Sequence, residues 1–216
     1  MITREEMPEA LRVKLRALAA QYLTGARGAH QYDHTLRVVA NARTLAKHYL
    51  EIDVELLEAA AWLHDIGRGV LRKKGQGHAA ASAKLAKING PELGFTGARL
   101  KILCNAIANH SFSARRLPDS LEGKILQDAD RLDALGAIGI ARTFAEGYNR
   151  ETYHLTDPFA ANRPLNDDRY TVDHFYAKLL TLATTLHTRE AKTMAQRRVR
   201  FLRRFLAEFA RELSGE

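Results

Sequence analysis

Cysteine is almost absent, with Cys104 the single thiol among 216 residues. One thiol cannot close an intramolecular disulfide, so no disulfide framework holds this chain and a reducing compartment is expected. Proline is scarce at five residues and glycine moderate at fourteen, which excludes collagen-like and low-complexity architectures. No apolar run approaches the ~18 residues that a membrane-spanning helix needs. The opening segment MITREEMPEA mixes charges and lacks an apolar stretch, so no secretory signal is expected and the cytoplasm is the expected location. Alternation of apolar and polar positions bounded by turn residues is also missing, and with it the mark of a half-buried strand.

What the chain does have is helical periodicity. A hydrophobic fraction of 46% beside 27% charged residues is enough for a real core. Met7, Leu11, Leu15, Leu18 and Tyr22 form a stripe at three- and four-residue spacing, closed by Gly25. Val38, Ala42, Leu45, Ala46 and Tyr49 form a second, in a segment beginning near Asp33. Asp53 reads as the N-cap of a third helix through Leu57, Ala60, Ala61 and His64. That helix is expected to run out at Gly67 and Gly69, where glycine tolerates the left-handed conformation of a helix terminus. Further helices fit 78–89, 96–110 and 120–145, the first stopped by Asn89-Gly90-Pro91. Residues 148–170, with Pro158 and Pro164, keep no period and read as a long surface loop. Val172, Phe175, Tyr176, Leu179, Leu180, Ala183 and Leu186 make another stripe, and a last helix carries Leu202, Leu206, Phe209 and Leu213. The expected fold class is all-α, a single compact bundle of about eight or nine helices.

Charge is unbalanced: 33 Lys+Arg against 25 Asp+Glu give +8. A basic chain favours anionic partners. Much of the excess sits in Arg197, Arg198, Arg200, Arg203 and Arg204, which reads as a solvated helix face. Phe201, Phe205 and Phe209 recur every four residues among them, a core spacing rather than a base-stacking platform. The run alone therefore gives no support for a specific nucleic-acid partner.

Nine histidines are present, and the informative one is His64 in the doublet His64-Asp65, directly after the apolar run AAAWL. Burying an imidazole and a carboxylate together costs several kcal/mol unless they pair or bind a cation. A divalent metal resolves that cost, because neutral imidazole nitrogen and carboxylate oxygen are both good ligands. His34 stands 30 residues earlier and Asp130 lies 65 residues after Asp65, each on its own expected helix. Periodicity does not by itself select these two.

The pattern H…HD…D through His34, His64, Asp65 and Asp130 resembles the HD-domain superfamily of metal-dependent phosphohydrolases. YDHTLRV (32–38), AAWLHDIG (60–67), AIANHSFS (106–113), EGKILQDADRLDALGAIGIAR (122–142) and DHFYAKLLTL (173–182) are similar to one bacterial, nucleotide (pyro)phosphohydrolase-like branch. The resemblance implies one HD domain over 1–216. Its metal-site core would cover about 25–145, with a helical part over about 171–214 packing on it. It implies that His34, His64, Asp65 and Asp130 hold one divalent ion, manganese first, with cobalt, nickel, iron, zinc or magnesium as alternatives. Water activated by that ion would attack a nucleotide phosphate, most readily that of a nucleoside or deoxynucleoside triphosphate, releasing pyrophosphate. Asp65, His78 and His110 are the implied catalytic groups.

For phosphate binding the candidates are Arg37, Lys124, Arg131 and Lys178, with Arg68 just past the doublet a further one. His30 reads as support for His34, and Asp128 and Asp133 as supporting or surface acids. Cys104 reads as a small core residue. Two departures stand out: no acid follows the doublet until Glu92, and Gln31 stands where the branch often has aspartate. Alternatives remain open at this point. His78 and His110 would serve as extra ligands in a binuclear phosphodiesterase or oxygenase, and a non-catalytic nucleotide sensor would keep the pocket without the chemistry. A small-molecule nucleotide is the expected partner, no membrane is expected, and a homodimer is compatible with the sequence.

Overall fold

The computed structural model describes residues 7–24, 32–71, 77–112 and 116–216. Among them the fold is all-α, with no strand and one isolated parallel bridge between Glu151 and Tyr170. The chain divides into two compact units, one ending at Asp130 and the other beginning at Arg131.

The first unit holds α1 (Glu9–Leu23), α2 (Tyr32–Ala46), α3 (Val54–Leu63), α4 (His78–Asn89), α5 (Gly97–Asn109) and most of α6 (Leu121–Asp133). Helix α3 is its centre. Every residue from Leu56 to Leu63 is buried, as expected of a helix apolar on all faces. Asp53 caps it, accepting from the Leu56 amide at 2.9 Å, and Arg99 of α5 grips the same carboxylate at 2.8 and 3.0 Å.

Glu58 is the one buried acid of α3. It accepts from Arg12 of α1 at 3.1 Å and from Arg43 of α2 at 2.9 Å, with a second bond from Arg43. Burial pushes the Glu58 carboxyl up, but the bonds and charges of Arg43 and Arg12 outweigh burial and hold it below its ordinary value. One carboxylate thus joins three helices.

Helix α3 stops earlier than its sequence suggests, at Leu63, with His64 as its C-cap and a 3₁₀ turn over Ile66–Gly69. Neither Gly67 nor Gly69 is left-handed. Both are needed for close approach. A Cβ on Gly67 would stand 2.5 Å from the His78 carbonyl oxygen and 2.5 Å from the Ser82 nitrogen, and one on Gly69 would stand 2.1 Å from the Tyr22 carbonyl oxygen. The turn after the doublet is therefore wedged against α1 and α4, and the Gly67 amide donates to Ser82 Oγ at 2.9 Å. Gly25, expected to close α1, lies outside the described residues.

The second unit holds α7 (Gly136–Glu146), a π turn over Phe175–Leu179, the short α8 (Leu180–Leu182), a 3₁₀ turn over Ala183–Thr185 and α9 (Arg189–Ser214). The single helix expected over 120–145 is in fact α6 and α7. Leu135 is extended and Gly136 has φ +75°, a left-handed conformation that breaks a helix and favours glycine. The stripe over 172–186 is not one regular helix either. The hydroxyls of Thr181, Thr184 and Thr185 bond back to carbonyls three residues earlier, competing with the regular ladder. Residues 148–170 are largely irregular, as expected. Asp173, fully buried, receives Arg163 at 2.6 and 2.7 Å and the Asn166 amide at 2.7 Å.

Helix α9 buries Ala191, Ala195, Val199, Leu202 and Leu206. Phe205 meets Phe144 and Phe175, and Phe209 meets Tyr153 and Phe159. Phe201 departs from the expected core spacing and is 46% exposed, because four-residue steps drift around the helix by about 40° each.

Candidate metal centre

Residues 64 and 65 emerge from α3 where the helix gives way to the turn. Asp65 has φ −113° and ψ 4°, in the sparsely populated bridge region where active-site residues recur. This corner lets two successive side chains face the same interior space. His34 is brought there by α2, His110 by the end of α5, His78 by the start of α4 and Asp130 by α6.

The distances are short. His34 Nε2 lies 3.3 Å from His64 Nε2 and 3.3 Å from Asp130 Oδ1. Asp65 Oδ2 lies 3.9 Å from His34 Nε2 and 3.8 Å from His64 Nε2. Its other oxygen, Oδ1, lies 3.6 Å from both His110 Nε2 and His78 Nε2. Asp65 thus stands between two pairs of imidazoles. His34, His64, Asp65 and His110 are at most 2% exposed.

Backbone carbonyls orient two of the rings. His64 Nδ1 is 2.8 Å from the Ala61 carbonyl and His110 Nδ1 is 2.7 Å from the Ile107 carbonyl. A carbonyl only accepts, so each Nδ1 carries the proton. For a neutral ring this leaves the Nε2 lone pair aimed inward. Burial drives the His64 pKa down to about 3 despite the charge of Asp65, so His64 is neutral at pH 7. For His110, burial is outweighed by the bond and charge of Asp65 and the charge of Asp130, and its pKa is raised. For Asp130, burial is outweighed by the bond and charge of His34, and its pKa is held well below the ordinary value.

This donor set fits a divalent metal. Two ligand atoms each about 2.1 Å from one ion stand about 3.0 Å apart at a right angle and about 3.4 Å apart at the tetrahedral angle. The two 3.3 Å separations at His34 fall between those values. Two groupings among the described residues have the reach for an ion: His34, His64 and Asp130, and His64, Asp65 and His110.

Braces that sequence reasoning did not select hold the set in place. Asn41 of α2 donates to the Ala129 carbonyl at 3.1 Å, tying the His34 helix to the residue before Asp130. Gln127, fully buried, donates to the carbonyls of Asn109 and Arg116. Asn41 carried a signal, being polar seven residues after His34 on the same helix face. Arg68 is engaged more closely than its sequence position suggested: its Nε meets Asp65 Oδ2 at 2.7 Å and a terminal nitrogen stands 3.1 Å from His78 Nε2.

The expected phosphate contacts have other surroundings. Arg37 pairs with Asp33 at 2.6 Å. Lys124 is exposed, about 240° around α6 from Asp130. Arg131 belongs to the second unit, buried, donating to the Thr185 carbonyl at 2.5 Å. Lys178 sits half-buried on the π turn of that unit. Asp128 and Asp133 are both buried rather than on the surface, with Asp133 paired to Arg142 at 2.7 Å. Cys104 is half-buried, its thiol pKa raised by burial, which is not the state of an activated nucleophile. His30 lies outside the described residues.

Known proteins are similar to this chain in sequence and fold. The HD domain family model matches residues 32–135, a span that contains all six clustered side chains. The crystal structure of an HD-superfamily hydrolase from Bacillus thuringiensis is 33% identical, with a TM-score of 0.72, covering 96% of this chain and 98% of that one. The chain belongs to the HD superfamily of metal-dependent phosphohydrolases. Among other HD-fold relatives, the uncharacterized protein YpgQ of Bacillus subtilis is 27% identical over 94% of this chain and 93% of its own. A crystal structure of YpgQ in complex with ADP superposes with a TM-score of 0.73 at 26% identity, covering 94% of this chain and 95% of that one.

Proposed function

We propose that this HD-superfamily hydrolase acts on nucleotides, with nucleoside and deoxynucleoside triphosphates as substrates and a monophosphate and pyrophosphate as products. The observation that carries the proposal is the convergence of His64, Asp65 and Asp130 on His34, whose Nε2 lies 3.3–3.9 Å from a ligand atom of each. These four would hold a divalent cation, manganese first. When bound, the cation acts as a Lewis acid toward a phosphoryl oxygen and lowers the pKa of water from 15.7 to about 7. The likeness to YpgQ, whose structure contains ADP, supports a nucleotide as the substrate.

The chain's own residues supply position and protons. His64 stays neutral and fixed by Ala61, so its Nε2 donates a lone pair without rearranging. His110 and His78 flank Asp65 Oδ1, and their Nε2 atoms would donate hydrogen bonds to phosphate oxygens and to the departing oxygen. His78 is the more open of the two, with its side chain 17% exposed against 2% for His110, so it meets the substrate first. Arg68 would present its planar guanidinium to the same phosphates. Arg37, Lys124, Arg131 and Lys178 remain candidates for the substrate's phosphates.

Purified protein with manganese and a panel of ribo- and deoxyribonucleotides, analysed for both pyrophosphate and orthophosphate, tests the reading. Release of pyrophosphate with equimolar monophosphate is expected. Release of orthophosphate alone would replace the reading by one of terminal-phosphate hydrolysis, and no turnover of any phosphate ester or anhydride would remove it. A second reading is favoured by the grouping of His64, Asp65 and His110: a binuclear centre. Metal analysis separates the two, at one or two ions per chain.

A further inference from the structure

The long helix α9 carries eight Lys and Arg against three Glu, and so five of the chain's eight net positive charges. At 100° per residue, seven of those cations fall within an arc of about 140°. The acids Glu190, Glu208 and Glu212 all lie beyond one edge of that arc. The eighth cation, Arg198, is turned the other way and donates to the Leu132 carbonyl. Arg211 is neutralised by Glu208. The remaining six, Arg189, Lys192, Arg197, Arg200, Arg203 and Arg204, are exposed, and none of their side chains takes part in a hydrogen bond or ion pair among the described residues. From Arg189 to Arg204 they extend over about 22 Å of helix axis.

A face of this kind has one natural complement. Duplex nucleic acid presents a phosphate for about every 1.7 Å of its axis, which sets some thirteen phosphates against the length of this row. The chemistry of the face also says which polyanion fits. The apolar side of α9 is already consumed by the core of its own unit, with Ala195, Leu202 and Leu206 buried, so the helix has no apolar face left to sink into a bilayer. Single-strand binding uses a row of exposed aromatic platforms, and α9 has one exposed aromatic, Phe201, with Phe205 and Phe209 half-buried. Arginine predominates over lysine in the row, which suits bidentate phosphate contacts.

We propose that the exposed face of α9 binds the phosphate backbone of double-helical nucleic acid, without reading its sequence. The interaction is electrostatic, so it weakens steeply with salt. It is independent of the metal centre and of the proposed nucleotide hydrolysis.

Fluorescence anisotropy of the full chain with labelled 20-base-pair DNA and RNA duplexes, over a salt series, tests this. The expected result is saturable binding with log K falling against log salt at a slope of about −4 to −5, for some five phosphates contacted. Arg197→Gln, Arg200→Gln and Arg204→Gln together should reduce that slope by about 2.7 and the affinity at least tenfold, with circular dichroism and nucleotide turnover unchanged. A charge-matched control in the first unit, Lys84→Gln with Lys87→Gln and Lys101→Gln, should bind as the unaltered chain does. Equal weakening in the control would reduce the effect to net charge and overturn the proposal. So would tighter binding to single strands than to duplexes, or stronger retention on phosphatidylserine vesicles than on either. The DNA and RNA arms show which duplex is preferred, and absence of binding to both at low salt would end it.

Discussion

His64 and Asp65 differ from most residue pairs in that neither has a tolerable environment without the other members of the cluster. Replacing one ligand leaves the remaining charges buried and the cation underheld. His64→Ala and Asp65→Asn should each abolish stoichiometric manganese binding, read by elemental analysis after gel filtration, and lower turnover at least a hundredfold, while the far-ultraviolet spectrum keeps its helical form. Bound metal and turnover both unchanged in either variant would remove the site as assigned. The doublet was legible in the sequence because a polar pair directly after AAAWL demands a partner. The roles of Arg68, Asn41 and Gln127 were not. Their importance comes from where a guanidinium or carboxamide ends, several bonds from the backbone, and that depends on which helices lie alongside.

Among the helices, Glu58 and Gly67 decide how α3 sits. Glu58→Gln would leave Arg12 and Arg43 facing a neutral amide. Both guanidinium groups keep some solvent, so the expected loss is about 2 kcal/mol rather than the larger cost of a sealed pair, measurable by urea denaturation. The pH dependence has a definite sign. The Glu58 carboxyl is held below its unfolded value, so its stabilisation is fully present above about pH 4.5 and is lost as the pH falls through the lowered value. The variant should therefore show a flatter acid limb than the unaltered chain. Gly67→Ala places a methyl 2.5 Å from two backbone atoms of α4. Backbone cannot yield as a side chain does, so a loss of about 2–3 kcal/mol is expected, with weaker metal binding because Asp65 sits two residues away. A melting temperature within a degree of the unaltered chain would contradict the close approach. Sequence reading put a glycine requirement here but gave the wrong reason, since what glycine supplies at Gly67 is room and not a left-handed turn.

For the molecule as a whole, the cation contributes to stability as well as to chemistry. Any ligand held by the folded chain alone adds about 2.7 kcal/mol at a hundred times its dissociation constant. Chelation should lower the melting temperature by several degrees, and manganese should restore it more fully than magnesium, which prefers an all-oxygen shell. No change on chelation would mean that no ion is held. The sequence by itself determined the helical class, most helix positions and the family, because periodicity, caps and ordered motifs are local properties written along one strand of text. The resemblance carried by those motifs gathered His34, His64, Asp65 and Asp130 into one expected set. Tertiary structure decided what local pattern could not: that α6 and α7 are separate helices, that His78 and His110 share Asp65 with the other pair, and that Arg198 turns away from the basic run of α9 to the Leu132 carbonyl. Those outcomes depend on which surfaces are buried against which, and burial is settled only when distant segments meet.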